Sequence, residues 1–282
     1  MSELSLPVRR ILDLPHIKLA CLEWNRGREP VLLVHGLGDN AWVWASIGAA
    51  LSDRYHVIAV DLRGHGDSDK PEEGYGFDTI ASDLMAVIDA MGWSSAHVVG
   101  HSLGGKLVAR WAQTHPERFR SAVLVDPFFA GRLPAWSELS LPLLYRVLPF
   151  LQGMGPFESY EVAERTARQL KQYRDWSPLQ QTAFRAGIEQ KPDGQWGSKF
   201  TVRARDRMFV ESIRVASLTA PVEIPTLIIR PEKGLNRMEW QLTQYRKYLQ
   251  NLEISNVPGH HWPFLVEPNA FEQAIVDFLA NH

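Results

Sequence analysis

A serine framed by glycines is the first place in this 282-residue chain where chemistry could reside. Gly100-His101-Ser102-Leu103-Gly104 directly follows the run Ala96-His-Val-Val99 and directly precedes a helical pattern over Lys106–Ala112. Strand, sharp turn and helix in that order hold the central residue in a strained backbone conformation, and small residues at 100 and 104 keep strand and helix from colliding. Ser102 would then project from the C-terminal edge of a strand as a nucleophile. The plainer alternative is a tight turn with an idle serine.

A serine hydroxyl is a poor nucleophile without a base, and the fold rather than sequence adjacency must deliver that base. His261 lies between the last predicted strand and the last helix, at the same sheet edge, where ligand and catalytic groups of parallel sheets collect. His260 is its adjacent rival, and residue chemistry alone does not separate the two. His35, His65 and His101 sit in glycine-containing turns, where histidines commonly bond nearby backbone. The developing oxyanion needs fixed N–H donors. Leu37, in the flexible turn His35-Gly36-Leu37-Gly38, and Leu103, at a helix start, are placed to supply them. His97 and His101 are four residues apart but belong to a strand and its turn, so they share no helical face for zinc.

The elements that must position these residues are readable from periodicity. Strands are expected near Arg9–Leu12, Ile17–Trp24, Val31–Val34, His56–Val60, Ala96–Val99 and Ser121–Val125. Ile80, Leu84, Val87, Ile88 and Met91 form one stripe of a helix over Thr79–Met91. The alternation predicts an α/β fold with a mostly parallel sheet flanked by helices. After Pro127 the regularity breaks. Residues 128–221 show no clear strand but many aromatics, and they are too many for a structureless loop, so a helical cap insertion is expected there. A strand over Pro225–Arg230, a helix over Arg237–Gln250, a strand over Leu252–Ser255 and a helix over Pro268–Ala280 complete the pattern. Residues 1–127 and 222–282 thus form one core.

Composition narrows the partners. With 45% hydrophobic and 22% charged residues the chain is an ordinary globular protein, and its net charge of −2 offers no basic excess for nucleic acid or an anionic membrane. A small molecule is the expected partner. The one cysteine, Cys21, has no internal disulfide partner, and the opening MSELSLPVRRILDL lacks a signal-peptide core, so a cytoplasmic location is expected. The apolar stretch Leu139–Leu151 is interrupted by Pro142 and Pro149 and is too short to span a bilayer. Cap core is its expected role, with an interface-sensing lid as the alternative. Arg203, Arg205 and Arg207 read as a solvated face offset by Asp206, against a cationic gate for an anionic substrate.

Taken together, His35-Gly36-Leu37-Gly38, Asp61-Leu-Arg-Gly-His-Gly-Asp-Ser-Asp-Lys-Pro71, Gly100-His-Ser-Leu-Gly-Gly105, Pro225-Thr-Leu-Ile-Ile229, His261-Trp-Pro263 and Glu267-Pro268 resemble, in order, the motifs of the α/β-hydrolase superfamily, in its cap-bearing branch. The likeness runs from about residue 15 to the end, the variable cap excepted. It implies an α/β-hydrolase fold, His261 rather than His260 as the base, and Leu37 and Leu103 as the oxyanion hole. Relatives acting as epoxide hydrolases or haloalkane dehalogenases carry an aspartate nucleophile, so Ser102 implies acyl transfer instead.

One position departs from the family pattern. Where most relatives read G-x-x-D after this strand, supplying the acid that orients the histidine, this chain reads Pro231-Glu-Lys-Gly234. Some relatives carry the acid at the end of the preceding strand, which here is Asp126. Glu232 is the substitute, and a chain with no acid the third possibility. If Asp126 serves, an aspartate restored at 234 in an Asp126→Asn chain should recover part of the activity. The resemblance implies a serine hydrolase of small, fairly apolar carboxylic esters, with no cofactor and no metal. Lactone hydrolysis, carbon–carbon bond hydrolysis or peracid formation would use the same residues, and a non-catalytic binder on this fold is the rival from another class.

Overall fold

The computed structural model describes residues 6–24, 29–134 and 154–282. Among these, eight strands form one sheet in the spatial order β1 (Val8–Leu14), β2 (Ile17–Trp24), β4 (Tyr55–Val60), β3 (Glu29–Val34), β5 (Ala96–His101), β6 (Phe119–Val125), β9 (Thr226–Lys233), β10 (Leu252–His260). β2 runs antiparallel to both β1 and β4, and every other pairing is parallel. The helices are α1 (Ala45–Leu51), α2 (Phe77–Ala90), α3 (Leu103–Thr114), α4 (Tyr160–Ala167), α5 (Pro178–Gly187), α6 (Val202–Arg214), α7 (Thr243–Tyr248), α8 (Pro263–Val266) and α9 (Pro268–Ala280).

Strand alternation divides the core. Leu32, Ile58, Val98 and Leu124 face one side, against Ile80 and Leu84 of α2 and Leu107 of α3. Their neighbours Leu33, Val57, Val99 and Val123 face the other, against Trp44 and against Phe271 and Ile275 of α9. Because helices cover both faces, β4 and β5 are buried at every residue, which is why their sequences read as continuous apolar runs. α2 buries the expected stripe and stops at Gly92, whose φ of +71° suits glycine.

Two expectations need correction. The helix expected over 237–250 is shorter: a 3₁₀ turn at Glu239–Leu242 leads into α7, because residues 235 and 236 are engaged elsewhere. The segment between β6 and β9 also contains strands, β7 (Ile188–Gln190) and β8 (Trp196–Ser198), paired antiparallel around the turn at Gly194. Three residues each are too few for a periodicity signal. The expected stretch Leu139–Leu151, with Trp136, Tyr145 and Phe150, lies outside the described residues. Of this segment, α5 sits over the loops at the sheet's C-terminal edge: Asn40 Nδ2 donates to the Ala183 carbonyl at 2.9 Å and Gln180 Nε2 to that of Leu265 at 3.5 Å. Helix α5 itself is started by Pro178 and a reciprocal cap between Ser177 and Gln180. Arg203 pairs with Glu72 and Arg205 with Asp206 at 2.8 Å, and Arg207 is exposed.

The tightest backbone contact of the fold lies where α3 leaves β5. A Cβ at Gly104 would stand 2.4 Å from the His35 carbonyl oxygen and one at Gly100 2.6 Å from the Gly104 oxygen, whereas one at Gly131 meets only Phe129 at 4.0 Å. Gly104→Ala should therefore destabilise the protein by about 1–3 kcal/mol and Gly131→Ala by less than about 0.5 kcal/mol. Urea unfolding midpoints of the two variants check this.

Candidate functional site

Four strand ends converge at the C-terminal edge of the sheet. The turn after β5 places Ser102 at φ +53°, ψ −115°, a conformation side chains rarely adopt. It is held from three directions: Ser102 N–H donates to the Val125 carbonyl at 2.9 Å, and the Ser102 carbonyl accepts from Phe128 and Lys106 N–H at 2.9 and 3.1 Å. Beside it the loop after β3 comes so close that a Cβ at Gly36 would lie 3.2 Å from Ser102 Cβ. The N–H groups of Leu37 and Leu103 flank that contact, and neither has a hydrogen-bond partner among the described residues.

His261 arrives from β10, which lies beyond β6 and β9 in the sheet. A register shift between Val257 and His260 and the φ of +93° at Gly259 re-aim the chain there. His261 Nε2 lies 3.0 Å from Ser102 Oγ, and its Nδ1 lies 2.6 Å from Asp126 Oδ2. His260 points elsewhere, bonding the Lys171 backbone. Sequence chemistry left the two histidines level; the strand bulge separates them.

Asp126 closes β6 at φ +39° with its side chain fully buried. Besides His261, its carboxylate accepts from Leu235 N–H at 2.7 Å, Asn236 N–H at 3.1 Å and Asn236 Nδ2 at 3.0 Å. Burial alone would raise its pKa, but the hydrogen bonds and charge of His261 and the donors from 235 and 236 together hold it below the usual carboxylate range. Glu232 is exposed at the end of β9 and makes no hydrogen bond to His261. Gly234 explains the departure from the family pattern: a Cβ there would fall 2.5–2.8 Å from all three atoms of the Asp126 carboxyl group. Asparagine at 126 has the same shape, so the expected rescue needs a smaller residue at 126 to make room.

Three positioning groups were invisible in the sequence. Asn236, 2% exposed, also donates to the Pro127 carbonyl at 2.8 Å, tying the loop after β9 to β6. His101 Nε2 donates to the His261 carbonyl at 2.8 Å, which pins the backbone of the residue it faces, and His101 Nδ1 lies 3.2 Å from Asp39 Oδ2. Trp262 Nε1 donates to the same Asp39 carboxylate at 3.3 Å. None of these has a local spacing signal, since each partner is 62 or more residues away. Burial and then the neighbouring His261 lower the His101 pKa, against the pull of Asp39. His35 and His65 bond backbone as their turns suggested. His35 Nδ1–H donates to the Gly36 carbonyl and its Nε2 accepts from Leu62 N–H, while His65 Nε2 accepts from Gly38 N–H. Among the described residues no cluster of three or more His, Cys, Asp or Glu could hold a metal ion, and no helix is long and apolar enough to cross a membrane.

The fold and this constellation define a hydrolase of the α/β class. The family model for the alpha/beta hydrolase fold matches residues 29–268, and the chain belongs to that family. It is 33% identical to a fluoroacetate dehalogenase of Burkholderia sp over 97% of this chain and 94% of the relative. Among solved structures it is similar to E-2-(acetamidomethylene)succinate hydrolase, with a TM-score of 0.81 and 27% identity over 97% of this chain and 99% of that one. The fold is shared with a marine microorganism esterase at a TM-score of 0.75 and 21% identity, over 92% of this chain and 98% of that one.

The Asp126 geometry is tested by the rate at which a fluorophosphonate labels Ser102. Asp126→Asn should slow labelling by about 10²–10⁴-fold and Asn236→Ala by about 10-fold, with Glu232→Gln nearly silent. Adding Gly234→Asp to Asp126→Gly should recover at least about tenfold over Asp126→Gly alone; no recovery would show that His261 accepts an acid from one strand only. Because the Asp126 carboxyl is held below the ordinary carboxylate range, its protonation should show in the labelling rate only at lower pH than that of an ordinary aspartate. By the same sign, Asp126 stabilises the fold above its unfolded pKa, and that contribution is lost only as pH falls through its depressed folded value.

Proposed function

We propose that the protein is a serine hydrolase of small carboxylic esters that works through an acyl-enzyme. The observation that carries this reading is the continuous hydrogen-bond chain from Ser102 Oγ through His261 to the buried Asp126 carboxylate. Ser102 Oγ attacks the ester carbonyl carbon while His261 Nε2 takes its proton. Asp126 fixes the imidazole tautomer and offsets the charge of the imidazolium. The oxyanion is received by the N–H groups of Leu37 and Leu103, which are free to donate. His261 then protonates the departing alkoxide, and a water molecule, deprotonated by His261, releases the acid and restores Ser102.

The identity of the nucleophile bears on the substrate. A carboxylate that displaces a halide from a saturated carbon becomes an ester, which water reopens at its carbonyl. A serine in that role would become an ether, which water does not reopen. Turnover on Ser102 therefore calls for an acyl carbon, whatever a dehalogenase relative does. The segment 128–221, lying over the loops of the sheet edge, is read as a cap that shapes the pocket for a small-molecule substrate.

A fluorophosphonate probe should label Ser102 stoichiometrically, with labelling abolished in Ser102→Ala and strongly slowed in His261→Ala. 4-Nitrophenyl acetate should give a burst of nitrophenol equal to the enzyme concentration. A folded wild type that neither labels nor bursts would overturn the proposal in favour of a non-catalytic binder.

A further inference from the structure

A cavity of about 60 Å³ lies between Gly38 and Asn40, in the loop after β3, and Leu170, Gln172, Tyr173 and Phe184 of the cap. That is room for about four water-sized groups. Its polar lining is of two kinds. Asn40 accepts from Trp42 N–H and donates to the Ala183 carbonyl, and Ser198 Oγ accepts from Phe200 N–H. The side chains of Gln172 and Tyr173, 6% and 9% exposed, have no hydrogen-bond partner among the described residues. Nor are their polar atoms sealed inside protein. The fully enclosed, partnerless side-chain atoms among the described residues belong to Trp24, Trp44, Tyr55 and Trp111. Both residues line the cavity, and buried polar groups of this kind are ordinarily satisfied by water or a ligand.

The charge of the lining selects the ligand. No Lys, Arg, Asp or Glu is among the described lining residues. The nearby carboxylate of Asp39 is committed to His101 and Trp262. An anion placed here would find no cation among the described lining residues, Arg205 beside Met154 being paired with Asp206, whereas a neutral oxygen would find Tyr173 O–H and the Gln172 amide as donors. The route from Ser102 is short: Gly38 follows Leu37, and Gly36 of the same loop is packed against Ser102. An acyl group with its carbonyl oxygen on the Leu37 N–H would have to run past Gly38, which lines the cavity, to reach it.

We infer that Gln172 and Tyr173 bind a neutral, hydrogen-bonding oxygen on the acyl part of the substrate, so that esters of short keto acids are preferred over plain alkanoates and over half-esters of dicarboxylic acids. This rests on the serine-hydrolase reading above. Methyl pentanoate, methyl 4-oxopentanoate and monomethyl succinate test it, because their acyl chains match in length and differ in the terminal group. In the wild type, kcat/KM for the 4-oxo ester should exceed that for pentanoate by about 10-fold and that for monomethyl succinate by about 100-fold. Tyr173→Phe and Gln172→Leu should each lower the ratio of 4-oxo to pentanoate by about threefold, and the double variant should bring it near one. A wild type that favours pentanoate or monomethyl succinate overturns the inference without any variant, as does a ratio that both variants leave unmoved. Ser102 labelled by the fluorophosphonate without a 4-oxo preference sinks this inference alone. An unlabelled Ser102 sinks the underlying reading with it.

Discussion

The left-handed backbone at Ser102 is the constraint from which the rest of the sheet edge takes its shape. A serine at φ +53° is strained by an amount of order 1–3 kcal/mol, and it persists because its surroundings leave it no alternative. Its N–H is tied to β6, its carbonyl to the chain after β6 and to α3, and glycines at 100 and 104 remove the side chains that would force the turn open. The result is a hydroxyl that stands clear of strand and helix, beside backbone N–H groups that a relaxed helix start would turn away.

Around that turn the polar groups are arranged so that each fixes another. Asp126 is saturated by His261, Leu235 and Asn236, and His101 holds the His261 carbonyl from the opposite side. The residue before Ser102 thus grips the residue that faces it. Burial lowers the pKa values of His35, His65 and His101, which opposes competing positive charge on the rings nearest His261. Lys106, buried within α3 with its pKa pushed down to about 7 by desolvation, donates to the carbonyls of Gly131 and Ser212 and so ties the segment between β6 and β9 to the helix that begins at Leu103.

Much of this was legible in the sequence because it is local. The strand, turn and helix around Ser102 are written in consecutive residues, and the buried strands declare themselves as apolar runs. Asp126 was legible only through the absence at Gly234, a negative signal that acquires meaning from a family pattern. Asn236, Asp39 and the pairing of His101 with His261 were not legible, since the contacts join residues brought together by strand order alone. The hairpin of β7 and β8 was missed for the opposite reason: three-residue strands are too short to set a period.

The crowding between Gly234 and Asp126 constrains how such a site could change over time. The two strand ends deliver an acid to one volume, so a chain carrying both side chains suffers a collision and a chain carrying neither leaves the imidazole unheld. Moving the carboxylate from 126 to 234 therefore passes through either the crowded chain or the unheld one, and it needs a smaller residue at 126 before a side chain fits at 234. The two positions are thus coupled by volume, so that a change at one is tolerated only in step with a change at the other.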